Sequence, residues 1–169
     1  MRYGDMKTPD PADEFARFYE ATKDPVFRAV LLARGGELEG SEDAVSSAYE
    51  KTLLRWEKVS AHPNPTAWVI RAALNHRISM WRRHGPRHVE PMTAMNPETP
   101  LDPGLLKLIR QLPKGQREVL ALRILLDFST EQTADALGVR QGTVKTQLHR
   151  ALSSLRLQLA THEVKEVWQ

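Results

Sequence analysis

Apolar residues recur every three to four positions along most of this chain, and no run alternates long enough to read as a strand. Phe15, Phe18, Tyr19 and Thr22 make the first helical stripe. Asp24-Pro25 has the form of an N-cap followed by proline at the first helical position, so a helix is expected to restart or kink there. It runs to Arg34, and Gly35-Gly36 stops it. Ser41 is placed to cap the next helix, with Glu42 and Asp43 in its first turn, where the helix dipole favours acids. Val45, Tyr49, Leu53 and Trp56 form the apolar seam of that helix. Residues 60–65 read as a loop, after which Thr66 opens a helix to about Arg83. Ile70, Leu74, Ile78 and Trp81 line one of its faces, and Arg71, Asn75 and Arg82 lie near one another on another.

The second half is helical too. Leu105, Leu108, Ile109 and Leu112 give a short amphipathic helix ended by Pro113, and Val119, Leu122 and Leu126 mark a second. Ser129-Thr130-Glu131-Gln132 fits a capping box, with serine at the cap and glutamine three positions later. A short helix follows with Ala134 and Leu137, and Gly138 supplies a turn with Val139 packed beneath it. A longer helix starts near Gln141, with Val144, Leu148, Ala151, Leu155 and Leu159 along one side. The expected fold class is all-α, in two small helical domains.

The division comes from proline. Residues 86–103 hold Pro86, Pro91, Pro97, Pro100 and Pro103, five of the chain's 11 prolines, without a helical or strand period. Proline fixes φ and removes a donor, so this stretch reads as a linker. Composition then narrows the chemistry. A chain of 169 residues, 41% hydrophobic and 27% charged, has room for one ordinary domain or two small ones. With 0 cysteines there is no disulfide framework, thiolate metal site or cysteine nucleophile. No apolar run is long enough for a signal peptide or a membrane span, and a cytoplasmic location is expected.

The net charge of +3 is modest, but its distribution is informative. Residues 58–89 contain no acid, against Arg71, Arg77, Arg82, Arg83 and Arg87. Residues 136–162 are again free of acid, with Arg140, Lys145, Arg150 and Arg156. Two clean basic blocks point to two contacts with a polyanion rather than to two solvated helix faces. In the second block, Ala134, Gly138 and Val144 make a helix-turn-helix with a mechanism. Alanine lets two helices approach, glycine takes the left-handed turn, and Val139 and Val144 are expected to plug the angle between the helices. The outer face of the second helix, Lys145, Thr146, His149 and Arg150 with Gln141 and Thr143 at its start, can reach base edges and phosphates in a major groove.

Competing chemistries have little support. His84 and His88 are separated by Gly85-Pro86 and do not share a helix face, so no zinc site or other cofactor is expected. There is no Gly-rich phosphate loop or nucleophile elbow, and the pairs Asp13-Glu14 and Glu42-Asp43 fit helix first turns better than acid–base catalysis. The chain is not expected to be an enzyme. Trp68 and Trp81 could stack on bases, but at helical spacing the core is the better place for both.

Residues 112–156, from Leu-Pro-Lys-Gly-Gln-Arg-Glu-Val through Gly-Thr-Val-Lys-Thr-Gln-Leu-His-Arg-Ala-Leu, resemble region 4 of an extracytoplasmic-function (group IV) RNA polymerase sigma factor. Glu42-Asp43-Ala44-Val45, the stretch Leu53–Val59 and the stretch from Asn64 through Asn75 to Trp81-Arg82-Arg83 resemble regions 2.2 to 2.4 of the same family, closest to its actinobacterial, sigma-E-like variety. The resemblance implies a disordered tail over 1–12, a region 2 domain over 13–85, the linker over 86–103, a region 4 domain over 104–160 and a tail over 161–169.

The resemblance also implies partners and roles. Glu42, Asp43, Ser46 and Ser47 fall on the helix that docks on the β′ clamp helices of core RNA polymerase, and region 4 faces the β flap. The family usually carries Gln-Glu where this chain has Ser46-Ser47, and a serine cannot offer a carboxylate to a basic partner. His62 and Asn64 lie in the loop that captures a base flipped from the −10 element, and Arg71, Asn75, Arg77, Arg82 and Arg83 follow on the −10 helix. Gln141, Thr143, Lys145, Thr146, His149 and Arg150 match the −35 reading head, while Gln147 stands where the family often has arginine. The implied function is promoter recognition and opening as a dissociable polymerase subunit, nucleoid-associated when bound to polymerase, with an anti-sigma protein as a further candidate partner. The second reading is a sigma-like or stand-alone helix-turn-helix regulator with weakened polymerase binding. Ser46-Ser47 favours it, and the −10-like helix argues against it.

Overall fold

A computed structural model describes the protein over residues 10–84 and 102–167, with side chains over 10–76 and 102–161. The described residues form helices and no strand. Residues 86–101, the bulk of the expected linker, and the tail over 1–9 lie outside them.

Helix α1 (Pro11–Ala33) starts where Asp10 accepts from the Ala12 amide at 3.0 Å, with Asp13 and Glu14 in the first turn. It does not restart at Asp24-Pro25: the helix runs through Pro25 without a break. An internal proline costs about 3 kcal/mol in lost hydrogen bonding and steric clash. Packing on both sides of it favours continuity. Upstream, the Phe15 and Phe18 rings lie 5.4 and 5.0 Å from Trp56, and downstream Val26, Ala29 and Val30 are fully buried. Gly35 (φ +73°) and Gly36 (φ +83°) then turn the chain through the left-handed region, their amides bonding back to Leu32 and Leu31.

Helix α2 (Leu38–Leu53) begins four residues earlier than a cap at Ser41 would set it. Ser41 is buried inside the first turn and donates to the Glu37 carbonyl, so Glu42 and Asp43 belong to the body of the helix. Its inward face is Ala44, Val45, Ala48, Tyr49 and Thr52, and Leu53 is 51% exposed. The expected seam slips at its end because α2 stops at Leu53 and Trp56 begins a separate turn, α3 (Trp56–Ser60). Helix α4 (Pro65–His84) buries Ala67, Val69, Ile70 and Ala73, and Trp68 is half-buried.

The second half contains α5 (Pro103–Arg110), α6 (Lys114–Leu125), α7 (Thr130–Leu137) and α8 (Gln141–Val167). Asp102 caps α5 through the Leu105 amide at 2.9 Å. Helix α8 carries on through residues 161–167, which the sequence had assigned to the tail. One buried apolar cluster joins both halves, from Val26, Val30 and Ile70 to Leu108, Leu120, Leu122 and Ala151. Helix α1 is its axis, with α2 and α4 against it on the N-terminal side and α6 on the other; α7 touches α4, and α8 closes over α6 and α7.

Candidate nucleic-acid interface

The clearest site is built by α6, α7 and α8. Ser129 and Gln132 complete the capping box, with the Gln132 amide donating to Ser129 Oγ at 3.0 Å and the Ser129 amide to Gln132 Oε1 at 2.9 Å. Two orphan donors at the start of α7 are thereby satisfied. Gly138 ends α7 at φ +67° and ψ +36°, a left-handed cap that glycine adopts without a Cβ penalty. Val139 donates its amide to the Ala134 carbonyl at 3.0 Å. Its side chain is 39% exposed, so it does not plug the inter-helix angle. Val144, fully buried against Val119 and Ala134 with Leu137 and Leu148 beside it, is the valine that fills that angle. One plug suffices because the Gly138 turn already brings α7 and α8 together.

With Val144 inward, the opposite face of α8 must point outward. Gln141, Thr143, Lys145, Thr146, His149 and Arg150 are all exposed there. Lys145 and His149 are one turn apart, as are Thr146 and Arg150, so these four form a single strip. Thr146 Oγ1 donates to the Gly142 carbonyl at 3.0 Å, which leaves its lone pairs facing out. Arg140 is exposed just before the helix, which has no acid in its first turn. The positive end of the helix dipole is therefore left for an external anion. Gln147 is half-buried, and a side chain added at Gly115 would begin 3.6 Å from its amide nitrogen. Position 147 therefore faces the start of α6 rather than open solvent.

The second basic block lies on α4. Asn64 Oδ1 accepts from the Ala67 amide at 3.0 Å and caps the helix, and the His62 ring nitrogen Nδ1 sits 3.0 Å from both the Asn64 amide and its carbonyl oxygen. The loop before α4 is thus braced by the two residues expected to read DNA, with the Asn64 oxygen committed to the cap. Arg71 and Asn75 are exposed on one face. Arg82, eleven residues beyond Arg71, returns to that face by helical period, and Arg77 and Arg83 lie in the same last turns. The side chains of Arg77, Arg82 and Arg83 lie outside the described residues. Like α8, α4 has no acid in its first turn.

On α2, Glu42, Asp43 and Ser46 are exposed and Ser47 is half-buried, all on the side away from Ala44, Ala48 and the core. The structure thus keeps three groups on three separate helices, and it brings Arg71 near the helix-turn-helix, where a side chain added at Gly138 would begin 3.4 Å from the Arg71 guanidinium. Two residues that the pattern did not single out are Arg110 and Arg117, which bond across the two halves. Their signal in the sequence is faint: the turn after α1 returns amides to Val30, Leu31 and Leu32, while the last turn of α1 has no basic residue and the Ala33 and Gly35 carbonyls take their partners from the second half. No group of three or more metal-ligating side chains occurs among the described residues, and no described helix is long and apolar enough to cross a membrane.

Comparison with known proteins agrees with this geometry. Residues 104–155 match the family model described as sigma-70, region 4. The chain is 31% identical over 160 residues to the RNA polymerase sigma-E factor of Streptomyces coelicolor, covering 89% of each. It is 33% identical over 134 residues to the RNA polymerase sigma-E factor of Streptomyces antibioticus, covering 73% of each. In fold it is similar to the sigma factor RpoE of Bartonella quintana, solved with the anti-sigma factor NepR. The TM-score is 0.69 at 22% identity, over 85% of this chain and 97% of that one.

Proposed function

Because the chain belongs to the family of extracytoplasmic-function RNA polymerase sigma factors, we propose that its two basic faces divide promoter recognition between them, α8 reading the −35 element and the loop before α4 with α4 itself holding the −10 element. The protein is a specificity subunit: it binds core polymerase and promoter DNA, directs transcription initiation, and leaves bond-making to the polymerase. The observation that carries the division is the strip of Lys145, Thr146, His149 and Arg150, exposed on a helix whose seating is fixed by Ser129, Gly138 and Val144.

The physics suits opening without ATP. Extruding a base costs a few kcal/mol, which a fitted pocket and phosphate contacts return. A loop already braced by His62 and Asn64 gives up little further entropy when it closes on that base. Arg71, Arg82 and Arg83 on α4 would hold the backbone beside it, and Glu42 and Asp43 on the outer face of α2 would meet basic groups of the polymerase clamp. The site of action is the cytoplasm, with polymerase on DNA. An anti-sigma protein fits the same reading, as one accompanies the structural relative from Bartonella quintana.

Run-off transcription with purified core polymerase over a library of genomic promoters should give discrete products that depend on this protein and on no nucleotide-driven activator. Core polymerase that gives the same products with and without it would refute the reading.

A further inference from the structure

The turn between α2 and α3 carries the most exposed large apolar side chain among the described residues. Leu54 is 83% exposed, and Lys51, Arg55 and Lys58 around it are exposed as well. Their neighbours fix this arrangement. Thr52 is fully buried and donates to the Ala48 carbonyl at 2.8 Å. Trp56 packs against the Phe15 and Phe18 rings and donates its Nε1 proton to Glu14 at 3.3 Å, and Val59 is buried one turn on. With 52, 56 and 59 held inside, 54, 55 and 58 are held outside.

The chain keeps winding from this turn into the loop before α4. The Leu54 amide bonds to the Glu50 carbonyl, Arg55 to Thr52, Lys58 and Val59 to Arg55, and His62 to Val59, at 2.9 to 3.1 Å. Helical period therefore puts Lys51, Arg55, Lys58 and His62 on one line, with Leu54 at its edge. The acids of the segment, Glu50 and Glu57, fall about a third of a turn away from that line. Ion pairs among the described residues lie elsewhere, at Lys23–Glu20, Arg34–Glu37 and Lys114–Glu118, so the charge of the strip faces solvent. From Arg55 to His62 the strip runs about 10 Å at 1.5 Å per residue, the length of about three nucleotides at duplex spacing.

Cations alone suit any polyanion. A leucine among them suits one whose bases are unpaired, since a paired base hides its face in the stack and a single strand offers it. We propose that the α2–α3 turn is a further nucleic-acid site, where Arg55 and Lys58, with Lys51 behind them, hold phosphates of the opened promoter strand and Leu54 packs on an unstacked base beside the one captured at the loop. The proposal rests on the assignment of the −10 element to that loop and α4. The captured base then lies between two basic surfaces, α4 on one side of the loop and the strip on the other. Contacts to phosphate and to the face of a base do not distinguish sequence, so the strip lengthens the life of the open complex without changing which promoter is chosen.

The full-length protein bound to core polymerase tests it on a forked fragment of a promoter taken from the run-off library, duplex through the −35 element and single-stranded from the −10 element on. Arg55→Ala/Lys58→Ala should bind the fork about tenfold more weakly, with a salt slope smaller by about 1.4, the value for two single-strand phosphates. Leu54→Ser should weaken binding about tenfold at an unchanged salt slope, and Leu54→Phe should match or exceed the parent. The double variant and Leu54→Ser should also lose heparin-challenged open complexes faster, while binding duplex −35 DNA and selecting promoters as the parent does. Variants of unchanged helical circular dichroism whose fork affinity, salt slope and open-complex lifetime equal the parent's overturn the strip. Weaker binding of the variants to core polymerase in the absence of DNA also overturns it, because the turn would then be a protein contact. A parent holoenzyme that holds the fork no better than a scrambled one would defeat the promoter reading and the strip with it. A parent that does discriminate, beside variants that match it, defeats the strip alone.

Discussion

At the scale of single residues, what a side chain does here depends on whether the fold lets it point outward. Tyr49 illustrates the inward case. Its hydroxyl lies 2.9 Å from Thr22 Oγ1, and Thr22 gives its own proton to the Phe18 carbonyl, so Tyr49 is the donor between them. Burial pushes the phenol up from 10.0 to about 12, only partly offset by the hydrogen bond with Thr22. The sign follows from linkage. Between those values the unfolded chain has lost the proton and the folded chain keeps it, so stability present below pH 10 is lost as pH rises toward 12. Tyr49→Phe should cost about 1 kcal/mol near pH 7 through the lost hydrogen bond. It should also unfold less steeply with alkali than the parent, as urea titrations at a series of pH values will show. An unchanged alkaline slope would mean that Tyr49 is not held protonated by the fold.

At the scale of elements, α8 is the informative case. Its inner face is fixed by Val144, Leu148 and Ala151, and Lys145, His149 and Arg150 lie on the exposed outer strip. If Arg150 and Lys145 pair with guanine, Arg150→Ala or Lys145→Ala should weaken binding to the preferred −35 site by about 1–3 kcal/mol and relax specificity at one position. If they touch only phosphate, binding should weaken on all sequences alike and the salt slope should fall by about one. Thr146→Ala and His149→Ala remove short side chains and should shift base preference more than salt dependence. Titrations on matched and scrambled duplex at two salt concentrations separate these outcomes. Four variants that bind as the parent does would show that the strip is not the reading head. Gln147, turned toward Gly115, should tolerate alanine better than its neighbours in the strip.

At the scale of the whole molecule, the side proposed to face polymerase is distinguished by what it lacks. Glu42 and Asp43 offer carboxylates on the outer face of α2, and Ser46 and Ser47 follow one turn later without any. A carboxylate facing a basic surface makes a charge-assisted bond that a hydroxyl cannot match. Ser46→Gln/Ser47→Glu should therefore tighten binding to core polymerase, and Asp43→Ala should weaken it with the helical circular dichroism signal intact. Fluorescence titration with core polymerase reads both. If neither variant changes the affinity, the docking face lies elsewhere on the molecule.

The local chemistry of this protein was legible in its residues. Ser129 with Gln132, Gly138 and buried Val144 define the helix-turn-helix, and each acts through groups within a few positions of itself, so sequence spacing was enough to locate it. The exposed strip on α8 and the face shared by Arg71 and Asn75 followed from helical period for the same reason. Signals that compete with tertiary packing misled. Asp24-Pro25 reads as a helix start, but rings and aliphatic side chains on both sides of it share one core and carry α1 straight through. Ser41 reads as a cap, but its burial set the start of α2 at Leu38, and Val139 reads as a plug, but Val144 left it nothing to fill. What only the tertiary structure decided is the joining of the halves. Arg110 and Arg117 meet the end of α1 from 75 and 84 residues away, and no period or motif encodes a contact over that separation. Residues close in sequence are held at fixed angles by the backbone, whereas distant ones meet only when every intervening helix has taken its place.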